Sequence, residues 1–219
     1  MVLSGHQPCY LASLGLFAKI AKSDVFMHGG HLQFQRSSWH NRNCILLNGK
    51  RHFLSIPIKR PHLRPIRDVV FSEGSLDWRK IHLKTLYQAY ERAPFFDYYF
   101  PILKEILYSH ESSLEKLNIE LTNQIAHWLG IKTPTFSGHS WHFEGNAIEK
   151  IIQMCKAVGA DTYLSNTGAE AYIRLKERIL LDKAGIKSQW LRFKDPDEEP
   201  LSVIHHLSWL GPKAAELIQ

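Results

Sequence analysis

The sequence predicts an α/β fold: a mainly parallel sheet flanked by helices, with an additional helical layer. Three observations carry this. Short apolar runs alternate with helical periods, turn-forming loops separate them, and one stretch between residues 76 and 130 is helical nearly throughout. At 219 residues, 44% hydrophobic and 22% charged, the chain can fill a core, and disordered, collagen-like and coiled-coil architectures are excluded. We read residues 1–219 as one domain with a helical insertion at 76–130.

In chain order, Val2-Leu3-Ser4 is a short strand entering a loop at His6-Gln7-Pro8. Leu14, Phe17, Ala18 and Ile20 repeat at near-helical spacing, and residues 24–28 read as a second buried strand closed by Gly29-Gly30. Residues 44–47 and 52–58 flank Asn48-Gly49, a pair that supplies the positive φ angles of a type I′ hairpin turn. Pro61 and Pro65 bar any helix from the basic connector 59–67. Ser75 is the expected N-cap of a helix over 76–92, and Pro101 suits the first turn of a further short helix. Ser113 caps a third, with Leu114, Leu117, Leu121, Ile125 and Trp128 in one stripe ending at Gly130. Asn146 and Glu149 form a capping-box pattern for a helix that stops at Gly159. Residues 160–165 then read as a strand leading into Asn166-Thr167-Gly168 and another helix ending near Gly185. A final strand is expected at 189–194 and a terminal helix at 201–210.

Lys and Arg total 27 against 21 Asp and Glu, a net charge of +6 that suits an anionic partner. Cys9, Cys44 and Cys155 are an odd number without CxxC spacing, which argues against a disulfide framework and for a reduced, cytoplasmic protein. No apolar run approaches the roughly 20 residues of a membrane span. The amino terminus has no basic start and is interrupted by His6, Gln7 and Pro8, so it reads as part of the fold and not as a signal peptide. Phosphate-loop NTPases, dehydrogenases with a GxGxxG turn and hydrolases with a GxSxG elbow are excluded by the absence of those motifs.

Four segments could carry chemistry. His6-Gln7-Pro8 follows the first strand, where ligands bind in open α/β sheets, and His6 there can act as acid or base or contact a phosphate. The stretch 33–43 gathers Gln33, Trp39, Asn41, Arg42 and Asn43 with little apolar periodicity, a set suited to gripping an anion and stacking a ring. Trp78-Arg79-Lys80 opens a helix and could assist an anion, and Ser165-Asn166-Thr167-Gly168 could cradle one, although an ordinary strand-to-helix cap uses the same residues. The reading therefore places His6 as the catalytic residue, with Gln7, Tyr10, Gln33, Trp39, Asn41, Arg42, Asn43, Arg79 and Ser165 binding substrate. The His6 turn and the 39–43 stretch are expected to close around one cavity. His28 with His31, His139 with His142, and His205 with His206 have short spacings, but no metal-site signature joins them, so neither metal nor cofactor is assigned. The partner expected is a small anionic molecule, with no membrane. The connector lacks interleaved aromatics, so nucleic acid is not the expected partner.

The ordered series of segments resembles the WbqC-like family of bacterial proteins over nearly the whole chain. The likeness rests on His6-Gln-Pro-Cys-Tyr10-Leu11, Leu14-Gly15, Phe17-Ala-Lys-Ile20, Gln33-Phe34, Trp39-His-Asn-Arg-Asn43 and Ile56-Pro-Ile-Lys59. It continues through Trp78-Arg-Lys80, Ala93-Pro-Phe-Phe-Asp97, Leu129-Gly-Ile-Lys-Thr133, Gly159-Ala-Asp-Thr-Tyr-Leu-Ser165 and Ala184-Gly-Ile186. The resemblance implies a place beside surface-polysaccharide and amino-sugar pathways. It points to a group-transfer enzyme that acylates or aminoacylates a nucleotide-linked amino sugar, or else a non-catalytic nucleotide- or sugar-binding accessory protein. Two departures stand out: His28-Gly-Gly-His31 where relatives carry adjacent acidic residues, and His205 or His206 where an Asp is expected. In fold the chain is similar to Rossmann-like nucleotidyltransferases related to pantothenate synthetase, which hold ATP phosphates with two histidines. His6 stands at the first position and Leu16-Phe17 at the second, and a nucleotidyltransferase-like enzyme is the third alternative.

Overall fold

A computed structural model describes residues 1–59, 63–72, 74, 77–109, 112–139, 141–167 and 173–219. Its centre is a wholly parallel five-stranded sheet made of β1 (Val2–His6), β2 (Val25–His28), β5 (Thr135–Ser137), β6 (Thr162–Asn166) and β7 (Lys187–Leu191), in the order β5-β2-β1-β6-β7. A separate antiparallel hairpin joins β3 (Arg42–Leu47) to β4 (Lys50–Ser55). Asn48 and Gly49 sit at its turn with φ of 52° and 72°, the angles a type I′ turn requires.

Helices cover both faces of the sheet. β2 shows how the alternation of a strand feeds both layers. Phe26 packs in the larger core with α1 (Leu14–Ala21), α2 (Trp78–Tyr90), α3 (Phe96–Ser109), α4 (Leu114–Trp128) and α7 (Val203–Leu210). Leu3, Met27 and Tyr163 face the other way, against α5 (Ala147–Val158) and α6 (Leu175–Lys183). The helices α2 to α4 follow one another between the hairpin and β5, as an added layer on the sheet.

Several element ends follow local chemistry. Asn146 and Glu149 exchange the two hydrogen bonds of a capping box at α5, and Gly159 ends that helix at φ 72°. Ser113 accepts from Lys116 N–H at the start of α4. Ser75 and Leu76 lie outside the described residues, and the cap of α2 is Asp77, whose carboxylate accepts from the amides of Arg79 and Lys80. Pro101 is not in a first turn. The helix begins at Phe96, five residues upstream, because Phe96 and Tyr99 are drawn into the core; the proline then sits inside α3 and removes one helical donor. β5 was not foreseen, and β7 begins two residues earlier than expected, at Lys187 opposite Thr162.

Of the basic connector, residues 60–62 lie outside the described residues. The remainder zips onto the chain after β2: Phe34 N–H donates to Arg64 O, Ile66 N–H to Leu32 O and Arg67 N–H to Gly30 O, at 2.9–3.0 Å. No helix among the described residues is long and apolar enough to cross a membrane.

Candidate functional site

From β1 the chain winds outward through β2 to β5, then returns to the other side of β1 to lay down β6 and β7. The direction of winding reverses between β1 and β6. In such sheets the crevice beyond the carboxyl ends of the two diverging strands is the ligand site. A cavity of about 350 Å³ opens there, within the range of small-molecule pockets. Gly5, His6 and Gln7 line it from the end of β1, and Tyr163, Ser165 and Asn166 from β6. Lys19 comes from α1, Met27, Gly29, His31 and Leu32 from β2 and the turn after it, and Ala147, Lys150, Ile151 and Met154 from the first turns of α5.

The electrostatics of this cavity are one-sided. Its described lining holds two lysines and no carboxylate. The Lys19 side chain is buried in the last turn of α1, and its ammonium donates to Gly5 O at 2.8 Å. Among the described residues no carboxylate lies within ion-pair distance of it. Burial accordingly pulls Lys19 down to about 8, so the group is still mostly cationic at neutral pH. A desolvated ammonium without a counter-ion is costly, and an incoming anion would relieve that cost.

His6 stands beside it. Burial, and then the Lys19 charge, lower the imidazole to about 4, so the ring is neutral at neutral pH. Nδ1 lies 2.8 Å from the Gln7 carbonyl, which can only accept; Nδ1 therefore carries the proton and Nε2 the lone pair. Cys9 Sγ lies 3.6 Å from the same Nδ1, but its thiol donates to Gln7 O and burial pushes it up to about 12. That is the setting of an inert thiol, not of a nucleophilic thiolate. The Asn166 Oδ1 atom, also in the lining, is buried without a hydrogen-bond partner among the described residues and can accept from a ligand hydroxyl or amine.

Of the residues the sequence reading put forward, His6, Gln7 and Ser165 line the cavity. The expectation that the 39–43 stretch closes around the same space is corrected. That stretch does meet the His6 turn, but through the backbone. Tyr10 N–H donates to Trp39 O at 3.0 Å, His40 Nδ1 reaches Pro8 O at 3.2 Å, and Asn43 Nδ2 donates to both Tyr10 O and Leu11 O. Asn41 Nδ2 donates to Ile56 O, and Gln33 offers only its backbone carbonyl, which accepts from Gln7 Nε2 at 2.9 Å. Tyr10 is fully buried with its hydroxyl 2.9 Å from His82 Nδ1. Trp39 stacks on Phe53 at the surface, with the Arg42 guanidinium 5.2 Å from the Phe53 ring and bonded to Ser37 O. Arg79 lies over Trp78 and Phe71 and donates to Leu107 O. His40 and Asn43 hold the loop by satisfying its carbonyls, a demand that no residue pattern displays.

Lys19 and Lys150 were missed, His31 was weighed only as a metal ligand, and Asn166, named with Ser165 in the loop after β6, does line the cavity. For Lys19 a signal existed. Leu14, Leu16, Phe17, Ala18 and Ile20 make α1 apolar on every side, so a lysine within it has no solvent face and must point at something polar inside. A broader, more open depression of about 610 Å³ lies along α4, between Glu115, His127 and His139. Among its described lining residues the buried ionisable group is Glu115, whose carboxylate meets His139 Nδ1 at 2.8 Å.

A parallel sheet with this order, and with a cationic crevice at the reversal, defines an α/β protein of Rossmann-like topology. More narrowly, the chain belongs to the WbqC-like protein family, which matches residues 7–216. It is 28% identical over 194 residues to the uncharacterized protein Rv1507c of Mycobacterium tuberculosis, a match covering 85% of this chain and 80% of that one. No solved structure matches.

Proposed function

We propose that the protein is a group-transfer enzyme whose substrate is a small anionic metabolite bound in the crevice between β1 and β6. The observation that carries this reading is Lys19: a buried ammonium with no carboxylate partner among the described residues, on the wall of a cavity that also holds a neutral histidine. The anion sits against Lys19 and Lys150, near the first turn of α5 where the helix dipole also favours negative charge. Gln7, Ser165 and Asn166 bond the hydroxyl or amine groups, and Met27, Ile151, Met154 and Tyr163 supply an apolar wall for a ring.

The resemblance read in the sequence suggests acylation or aminoacylation of a nucleotide-linked amino sugar as the reaction. In that reaction the sugar amine attacks the carbonyl carbon of an activated acyl donor, a thioester for example. A C–N bond forms, the C–S bond breaks, and the thiol leaves. The amine proton, acidified once nitrogen has bonded to carbon, passes to His6 Nε2 and from there to the departing sulfur. The low basicity of His6 favours a second reading, a protein that binds the same anion without converting it. A third, transfer of a nucleotidyl group, shares the anion site but lacks a second histidine in the first loop and helix.

Thermal-shift and turnover measurements against nucleotide sugars, acyl thioesters and aminoacyl donors separate these readings. The proposal expects a nucleotide-linked amino sugar to raise the melting temperature of the wild type but not of Lys19→Met. It also expects turnover to vanish in His6→Ala with binding retained. Undiminished ligand stabilisation in Lys19→Met would sink the anion site, and binding without turnover would leave the accessory reading.

A further inference from the structure

Past the end of β7 the chain carries Asp195-Pro196-Asp197 and then enters α7, where His206 lies on the second turn. One metal-ligating atom from each of Asp195, Asp197 and His206 falls within 4.8 Å of the others. These residues line no part of the crevice between β1 and β6.

The key observation is a buried imidazole whose polar neighbour is a carboxylate held outside hydrogen-bond geometry. The His206 side chain is only 7% exposed, and its Nε2 stands 3.2 Å from Asp197 Oδ2, within ion-pair distance; among the described residues neither buried atom makes a well-aligned hydrogen bond. Such a pair is poorly satisfied in a protein interior. Two ligands of one cation, each about 2.1 Å from it at tetrahedral or octahedral angles, stand roughly 3.0–3.4 Å apart without bonding each other. The observed separation fits that arrangement.

The surroundings hold the three groups in place. Arg51 donates to the carbonyls of Glu199 and Pro200 and pairs with the Glu199 carboxylate at 2.8 Å, which ties the connector to β4. Ser202 N–H donates to Cys44 O at 2.8 Å, and the Ser202 hydroxyl caps α7. Asp197 N–H donates to Asp195 Oδ1, holding the two carboxylates side by side. Asp195 and Asp197 remain partly exposed, so a cation would keep open positions. One imidazole and two carboxylates are a donor set for Zn²⁺ or Mn²⁺.

We propose that Asp195, Asp197 and His206 form a divalent-cation site of the Zn²⁺ or Mn²⁺ type, independent of the anion crevice. The test is calorimetric titration of chelator-treated, untagged full-length protein with Zn²⁺ and with Mn²⁺, alongside Asp195→Asn, Asp197→Asn and His206→Gln. The expected result is one equivalent bound by the wild type, with affinity for that equivalent reduced at least roughly tenfold in each variant that keeps the wild-type circular dichroism. Co²⁺ should give visible ligand-field bands that His206→Gln loses. If Asp197→Asn or His206→Gln fails to fold, Asp195→Asn, altered at a partly exposed position, decides alone. Absence of saturable binding at millimolar metal, or an unchanged affinity in the folded variants, would leave the trio as a simple histidine–aspartate contact and overturn the proposal.

Discussion

The Glu115 carboxylate reaches His139 Nδ1 at 2.8 Å because residue 30 has no side chain. A Cβ on Gly30 would overlap that carboxylate, which also lies 3.4 Å from the Ser137 hydroxyl in a buried position. The His28-Gly-Gly-His31 turn is thereby tied to an acid contributed by α4, eighty-five positions downstream of Gly30. Gly30→Ala should expel the carboxylate, break its pair with His139 and cost about 1–3 kcal/mol. Urea unfolding checks the stability, and the His139 ring resonances report the lost pair.

Acid should unfold the protein from within. Burial lowers both His28 and His82 from 6.5 to about 4. The unfolded chain binds these protons at pH 6.5 and the native chain does not, so stability is full above about 6.5 and falls as the pH drops toward 4. Each ring accounts for roughly 3 kcal/mol at the acid limit. His82→Gln should therefore flatten part of the acid limb in a plot of melting temperature against pH. An acid limb of unchanged steepness would count against the assignment.

Anion binding in the crevice should weaken as pH rises through about 8, where Lys19 loses its proton. The stability of the ligand-free protein should move the other way. A lysine held at about 8 in the fold and near 10.5 when unfolded costs least once both states are neutral, so stability rises between those values. Lys19→Met should abolish both trends, keep or raise the melting temperature and lose the ligand, as expected where a destabilising group is kept for function. Ligand-free melting curves and ligand titrations across pH 7–10 read both.

Asn43 bears on stability through the loop. Leu11 adopts φ of 41°, a left-handed conformation rarely taken by a branched aliphatic residue, and Asn43 donates to its carbonyl and to that of Tyr10. Asn43→Ala leaves those acceptors buried and unbonded, for an expected loss of roughly 2–3 kcal/mol in chemical denaturation. Asn43→Asp, which sets a carboxylate against two carbonyls, should be worse.

Much of the fold was legible because its signals are local. Asn48-Gly49, the Asn146 and Glu149 pair, and Gly159 each dictate a backbone conformation by their own chemistry. β5 was not legible: its three residues join the sheet only because β2 presents an edge a hundred positions upstream, and Thr135-Phe136-Ser137 is too short for its alternation to announce a strand. In the site, His6, Gln7 and Ser165 follow from the rule that chemistry gathers at strand ends. The polar stretch 39–43 was misplaced for a different reason. Amides grouped in a sequence look alike whether they face a ligand or the carbonyls of a neighbouring loop, and Asn41 and Asn43 face carbonyls.

The pairing of Val2 with Thr162, fastened by the Met1 amine on Asp161 across 160 positions, sets a timetable for biosynthesis. β1 is translated before the other strands of its sheet and lies at their middle, so one of its two flanks stays bare until β6 has been made. A nascent or prematurely terminated chain thus exposes a sticky strand edge and has only half a crevice, so competence and protection against aggregation arrive together with β6.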